Sequence, residues 1–170
     1  MAVMSEPVVE EHIEAFEDFF HAYHERLHRA MYLATGDRHE AEDLAQEAFV
    51  RILERWERVR GLDDPVGYLY RTALNTRRSR LRRLAVAARK AVRPEPAVDQ
   101  HEAAEDRSTV HWALAALPDG QREALVLVEG LGMTDVRAGE VLGISAGAVR
   151  TRLHRARAAL RELLRGEIDA

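Results

Sequence analysis

The chain has 170 residues, 46% hydrophobic and 32% charged, with a net charge of −4 and no cysteine. That length holds one domain or two small ones, and the missing thiols exclude a disulfide framework, a thiolate metal site and a thiol redox switch. No apolar run approaches the ~20 residues of a membrane span, and the acidic start, MAVMSEPVVEEH, lacks the basic opening of a secretory signal, so a cytoplasmic protein is expected. Glycine and proline are sparse and fall between periodic segments, which predicts an all-α fold.

Residues 8–34 read as a first helix. Ile13, Phe16, Phe20, Tyr23, Leu27, Ala30 and Ala34 recur at three- and four-residue steps and form an apolar stripe. His21, His24 and His28 share helical spacing beside Glu25, so a zinc pair is conceivable, but no HExxH pattern or further ligand completes it. Gly36 ends this helix. Asp37 and Glu40 have capping-box spacing for the next, over 38–59. Its inward positions are Ala41, Leu44, Ala45, Ala48, Ile52, Leu53, Trp56 and Val59, and the acidic residues between them predict a protein-docking face. The first 64 residues carry 16 acidic and 7 basic side chains, a balance of −9.

Asp64-Pro65 is a strong helix start. The third helix, 65–84, turns Val66, Leu69, Ala73, Leu81 and Leu84 inward. Tyr68, Arg71, Asn75, Arg78 and Arg82 run along another side. An aromatic, an amide and guanidiniums in one stripe suit stacking, base-edge hydrogen bonds and phosphate contacts. Residues 71–93 hold nine cations and no anion. Two separate basic stretches on an acidic chain suggest two polyanion contacts and a different partner for the acidic surface. The arginine bias suits bidentate recognition, although a GC-rich genome produces the same bias.

Residues 91–106, with Pro94 and Pro96, lose periodicity and read as a mobile linker. Helices return from 107: Val110, Ala113, Leu114 and Leu117 form one apolar set, and Ala124, Leu125, Leu127 and Val128 another. Two helical domains follow, 8–90 and 107–166, each small enough that its own core is marginal.

The second domain ends in a helix-turn-helix pattern. Thr134 caps a helix whose apolar positions are Val136, Val141 and Leu142. Gly143-Ile144-Ser145 turns the chain, and Ser145 caps the last helix. There Val149, Leu153, Ala156, Leu160 and Leu163 face inward. Arg150, His154, Arg157 and Arg161 share one outer side, with Arg152 and Arg155 on the other flank. In such a motif the second helix enters the DNA major groove.

Three stretches carry a resemblance to a known family: GDRHEAEDLAQEAFVRILERW, GYLYRTALNTRRSRLRR, and ALPDGQREALVLVEGLGMTDVRAGEVLGISAGAVRTRLHRARAAL. In order and separation they resemble domains 2 and 4 of a bacterial sigma-70 family RNA polymerase sigma factor of the extracytoplasmic-function (ECF) type. The Gly-Tyr-Leu-Tyr form and arginine bias are most similar to an actinobacterial subgroup. The resemblance implies two helical domains and docking on core RNA polymerase, on the β′ clamp helices and the β flap. The clamp surface would centre on Asp43, Gln46, Glu47, Val50 and Arg51. Tyr68, Arg71, Asn75, Arg78 and Arg82 would bind the −10 element. Ser145, Ala148, Arg150, Thr151, Arg152, His154, Arg155 and Arg157 would contact the −35 element. Tyr68 stands where many relatives have tryptophan, and Ala148 where threonine is common.

This reading makes the protein a promoter-specific initiation factor, not an enzyme, with no cofactor, no membrane partner and a monomeric free state. An anti-sigma factor is a further partner that the resemblance raises. The alternatives are a stand-alone helix-turn-helix regulator and a histidine/carboxylate metalloenzyme built on the first helix.

Overall fold

The computed structural model describes residues 6–90 and 109–168, and side-chain surroundings from 14 to 165. The expected linker 91–106 and the Ile13 side chain lie outside them. Every described element is helical, and among the described residues no helix is long and apolar enough to cross a membrane.

Helix α1 (Glu6–Thr35) stops at Gly36, whose φ of +74° is strained for residues with a Cβ. Asp37 then caps α2 (Arg38–Leu53) by accepting the Glu40 amide at 2.8 Å. The chain folds back, and Phe16, Phe19 and Phe20 of α1 meet Phe49 and Trp56 at centroid distances of 4.8–6.4 Å. The single helix expected over 38–59 is broken. Arg55, at φ −126° and ψ 19°, separates α2 from the one-turn α3 (Trp56–Val59). The break turns Trp56 and Val59 into the core and leaves Leu53, expected inside, 52% exposed.

Asp64 caps α4 (Pro65–Lys90) by accepting the Gly67 amide at 2.8 Å. Leu69, Tyr70, Ala73 and Leu74 are buried. From Leu81 onward every α4 residue is exposed, because the helix runs past the body it packs on. Leu81 and Leu84, expected to face inward, therefore stand at the surface.

The C-terminal half contains α5 (Thr109–Ala115), α6 (Asp119–Leu125), α7 (Asp135–Leu142) and α8 (Ala146–Ile168). Helix α6 widens into a π turn over Val126–Gly130, where the Leu131 amide bonds back to the Val126 carbonyl at 3.0 Å. Thr134 caps α7 by accepting the Arg137 amide at 3.2 Å, and Ser145 accepts the Ala148 amide at 3.1 Å. Between the caps Gly143 sits at φ +70°. A Cβ on Gly139 would lie 2.7 Å from the Ile144 carbonyl, so only glycine lets the turn close on α7. Val136 is exposed, not inward: it precedes buried Ala138 by two residues, about 200° round the helix. Val110, at the open start of α5, is exposed as well.

The two halves do not keep separate cores. Leu114, Leu117, Leu127, Met133 and Val141 join the same buried cluster as Leu27, Met31 and Tyr70. The marginal, independent cores expected from the sequence are replaced by one shared interior, which buries more apolar surface than either half could alone. Arg122 of α6 is the buried junction. Its guanidinium donates to the carbonyls of Leu114 (2.7 Å), Ala34 (2.8 Å), Ala115 (2.9 Å) and Leu117 (2.8 Å). One cation thus binds carbonyls at the ends of α1 and α5, where the helix dipoles also favour positive charge. At the other end of the contact, Arg137 of α7 makes a two-pronged bond to Asp64, at 2.7 and 2.8 Å. Tyr32 of α1 packs on His111 of α5, with ring centroids 4.2 Å apart.

Two predictions follow from these ties. Arg122→Met removes all four of these hydrogen bonds, so urea unfolding should show a loss of about 3 kcal/mol; a loss below about 1 kcal/mol would contradict the junction. The Arg137 hydrogen bond holds the Asp64 carboxyl below its ordinary value of 3.8. A depressed carboxylate stabilises the fold fully above its unfolded value and loses that contribution as pH falls through the folded value. The stability gap between the wild type and Asp64→Asn should therefore be full at neutral pH and shrink below about 3.8. A gap independent of pH would count against the tie.

Candidate nucleic-acid interface

The α8 surface is the more open of the two basic faces. Val149, Leu153 and Ala156 anchor the helix in the core, which fixes the outward direction of the residues between them. Arg150 is 64% exposed and lies 3.6 Å from Asp135. Thr151, His154 and Arg155 are exposed, and the Thr151 hydroxyl donates to the Gly147 carbonyl at 3.1 Å. Arg157 is exposed and paired with Glu129. Ser145 is used as the helix cap and Ala148 is half-buried beside it. Arg152 departs from its expected outer position. Its side chain turns inward, Nη1 reaches the Gly120 carbonyl at 3.5 Å, and a Cβ on Gly120 would lie 2.9 Å from it. Arg152 therefore ties α8 to α6, so its guanidinium is not presented on the outer face with the others.

The α4 face is arranged differently. Asn75 and Arg82 are exposed. Tyr68 is half-buried and lines a cleft of about 340 Å³ together with Arg58, Asp63, Arg71 and Glu140. Arg71 spends its guanidinium on the Glu140 carbonyl of α7. Arg78 binds Glu123 of α6 at 2.5 Å, and Arg77 reaches Glu123 at 3.5 Å and Asp119 at 2.8 Å. Arg71 and Arg78, read from the sequence as free for a polyanion, are thus already engaged by the C-terminal half. The sequence reading passed over Arg77, Asp119, Arg122 and Glu123. Arg77 falls on the inward stripe four residues after Ala73, and its side chain is 6% exposed. Its position was readable from the period; its charge argued the other way. Nothing in the stretch GQREALVL marks Arg122 and Glu123 as interior.

On α2, Asp43, Gln46, Val50 and Arg51 are exposed along one side, and Glu47 is half-buried. Burial pushes the Glu47 carboxyl up, but Arg80 and Arg51, both at 2.5 Å, outweigh it and hold the carboxyl below its usual range. Val50 and the unexpectedly exposed Leu53 place an apolar patch within this polar side. A mixed apolar and charged strip suits a protein partner better than a nucleic acid. Of the first-helix histidines, His24 packs on Phe20 at 4.7 Å, and among the described residues no three histidine, aspartate or glutamate side chains converge on a metal position.

Residues 19–86 match the Sigma-70 region 2 family, and residues 109–160 match the Sigma-70, region 4 family. The chain is 32% identical to the ECF RNA polymerase sigma factor SigW of Bacillus subtilis, over 89% of this chain and 90% of that one. It is 33% identical to the RNA polymerase sigma-E factor of Streptomyces coelicolor, over 91% and 89% respectively. Among solved structures, CnrH in complex with the cytosolic domain of CnrY superposes with a TM-score of 0.63 at 28% identity, covering 90% of this chain and 89% of that one. The fold is also that of the sigma factor RpoE from Bartonella quintana, solved with the anti-sigma factor NepR. That match has a TM-score of 0.76 and 22% identity, and covers 89% of this chain and 98% of that one. Two basic helices, one in each half, occupy the two matched regions in the family's order, and the chain belongs to the sigma-70 family of RNA polymerase sigma factors, as a member of the ECF type.

Proposed function

We propose that the chain binds core RNA polymerase through the α2 strip and directs it to promoters through α4 and α8. In this division of labour residues 8–90 dock on the polymerase and grip the −10 element, 91–106 link, and 107–166 read the −35 element. Asp43, Gln46, Glu47, Val50 and Arg51, joined by Leu53, meet the β′ clamp helices. The 107–166 unit meets the β flap. Tyr68, Asn75 and Arg82, with Arg71 and Arg78 once released, hold the opened −10 strand. Arg150, Thr151, His154 and Arg155 enter the −35 major groove. The protein lends sequence preference, polymerase performs the chemistry, and the chain itself is not an enzyme. It works in the cytoplasm, at the nucleoid when bound to polymerase, and is a monomer when free. The solved relatives bound by CnrY and NepR make an inhibitory protein partner a reasonable counterpart for this chain.

The observation that carries this reading is the outward cationic face of α8, set by a capped helix-turn-helix whose inward side is fixed by Val149, Leu153 and Ala156. Purified protein added to core polymerase should produce initiation at specific start sites in a reconstituted transcription assay. Arg150→Ala should relax selectivity at one −35 position, since a bidentate arginine–guanine contact supplies roughly 1–3 kcal/mol of discrimination. Binding of duplex DNA without any polymerase-directed initiation would favour the stand-alone regulator instead.

A further inference from the structure

A smaller cavity, of about 110 Å³, lies where α1, α4 and α7 meet. Tyr23 and Arg26 reach it from α1, three residues apart and so on one side of the helix. Tyr70 reaches it from α4 and Arg137 from α7, and Val66 and Met133 add apolar wall. All four polar side chains can donate a hydrogen bond, and no carboxylate or amide side chain lines the space. Tyr70 is 2% exposed, yet its hydroxyl makes no hydrogen bond among the described residues. Burial pushes that hydroxyl above its ordinary value of 10.0, with Arg26 and Arg137 opposing, so it keeps its proton and can donate. A buried hydroxyl without a partner is costly, and an acceptor in the cavity removes that cost. Arg137 spends Nε and Nη2 on Asp64, which leaves Nη1 uncommitted. Arg26 is exposed and has no ion pair among the described residues. The residues three and four positions from it on α1 are Ala22, Tyr23, Arg29 and Ala30, none of them acidic.

We propose that this cavity is a binding site for one phosphate group, held by Arg26, Arg137 and the hydroxyls of Tyr23 and Tyr70. Asp64 balances the charge of Arg137, so Arg26 supplies the positive charge left over for an anion. The donors arrive from three helices and therefore from several directions. A tetrahedral oxyanion can meet them all, whereas a planar carboxylate presents only two oxygens in one plane. The space is well below the ~300 Å³ at which ordinary small-molecule pockets begin, so it takes the phosphate and not a nucleoside attached to it. The phosphate is either the free ion or the end of a small phosphomonoester. The site is independent of promoter recognition, since none of its lining residues is assigned above to polymerase or DNA. Once bound, the anion joins α1, α4 and α7, and so couples their packing to the supply of phosphate.

Titration calorimetry of the full-length chain with inorganic phosphate, at neutral pH and constant ionic strength, should fit one site per chain. With a Kd of ~1 mM, about 20 mM phosphate should raise the melting temperature by about 4–7 °C. Arg26→Gln changes an exposed side chain, and Tyr70→Phe removes a hydroxyl while keeping the ring. Each variant should bind phosphate about tenfold more weakly or worse, the loss expected for one hydrogen bond to a charged group. Each should also lose most of the thermal shift. Glycerol 3-phosphate as a second probe separates the two sources: tighter binding than the ion assigns the site to a phosphomonoester, and weaker binding assigns it to free phosphate. Phosphate also strengthens apolar burial in any protein by being excluded from its surface. A thermal shift equal in the wild type and both variants is that general effect and would overturn the site. So would the absence of saturable binding of either probe to the wild type.

Discussion

A carboxylate withdrawn from water between two guanidiniums governs how this molecule is put together. Glu123 lies against Arg77 and Arg78, on a helix from the opposite half of the chain. Withdrawing Glu123 and Arg77 from solvent is costly unless they are paired, and they pair with each other while Arg78, 29% exposed, adds a second cation. The contact is therefore specific in register but modest in net strength. It fixes which surface of the C-terminal half faces α4, while Arg122 and the shared apolar cluster supply the adhesion. The same pairing that aligns the halves withdraws α4 cations from the surface.

The three candidate faces divide by what surrounds them. Helix α2 presents a strip in which Val50 and Leu53 interrupt charged residues, a composition suited to a polymerase subunit. Helix α8 presents arginines whose local partners can be exchanged, a composition suited to a phosphate backbone and base edges. Helix α4 presents the same residue types, yet Arg71 and Arg78 are bonded to the C-terminal half of the chain. Charge alone would rank α4 as the stronger nucleic-acid surface; burial and pairing reverse that order in the closed chain.

Helix existence, the caps at Asp37, Thr134 and Ser145, and the inward sides of α2 and α8 were legible in the sequence, because each depends on neighbours a few residues away. The period also marked Leu53, Leu81, Leu84 and Val136 as interior, and all four are at the surface. A break near Arg55 frees Leu53, an overhanging helix end frees Leu81 and Leu84, and a rotation of about 200° frees Val136. Local periodicity cannot report where a packing partner ends. The largest miss was the interior role of Arg77, Arg122 and Glu123. Their burial depends on residues more than forty positions away, or on the last turn of α1, and composition reads such residues as solvent-facing. Among the −35 candidates, the contact of Arg152 with Gly120 on α6 is likewise set by a residue distant in the chain.

The absence of cysteine makes the closed arrangement directly measurable, since labels can be placed without background. Spin labels at Glu54 and Glu162, both exposed and in opposite halves, would report their separation by pulsed electron resonance. The free chain should give one narrow distance distribution, which shifts to longer distances when core polymerase is added. A broad distribution in the free chain, unaltered by polymerase, would contradict the closed arrangement.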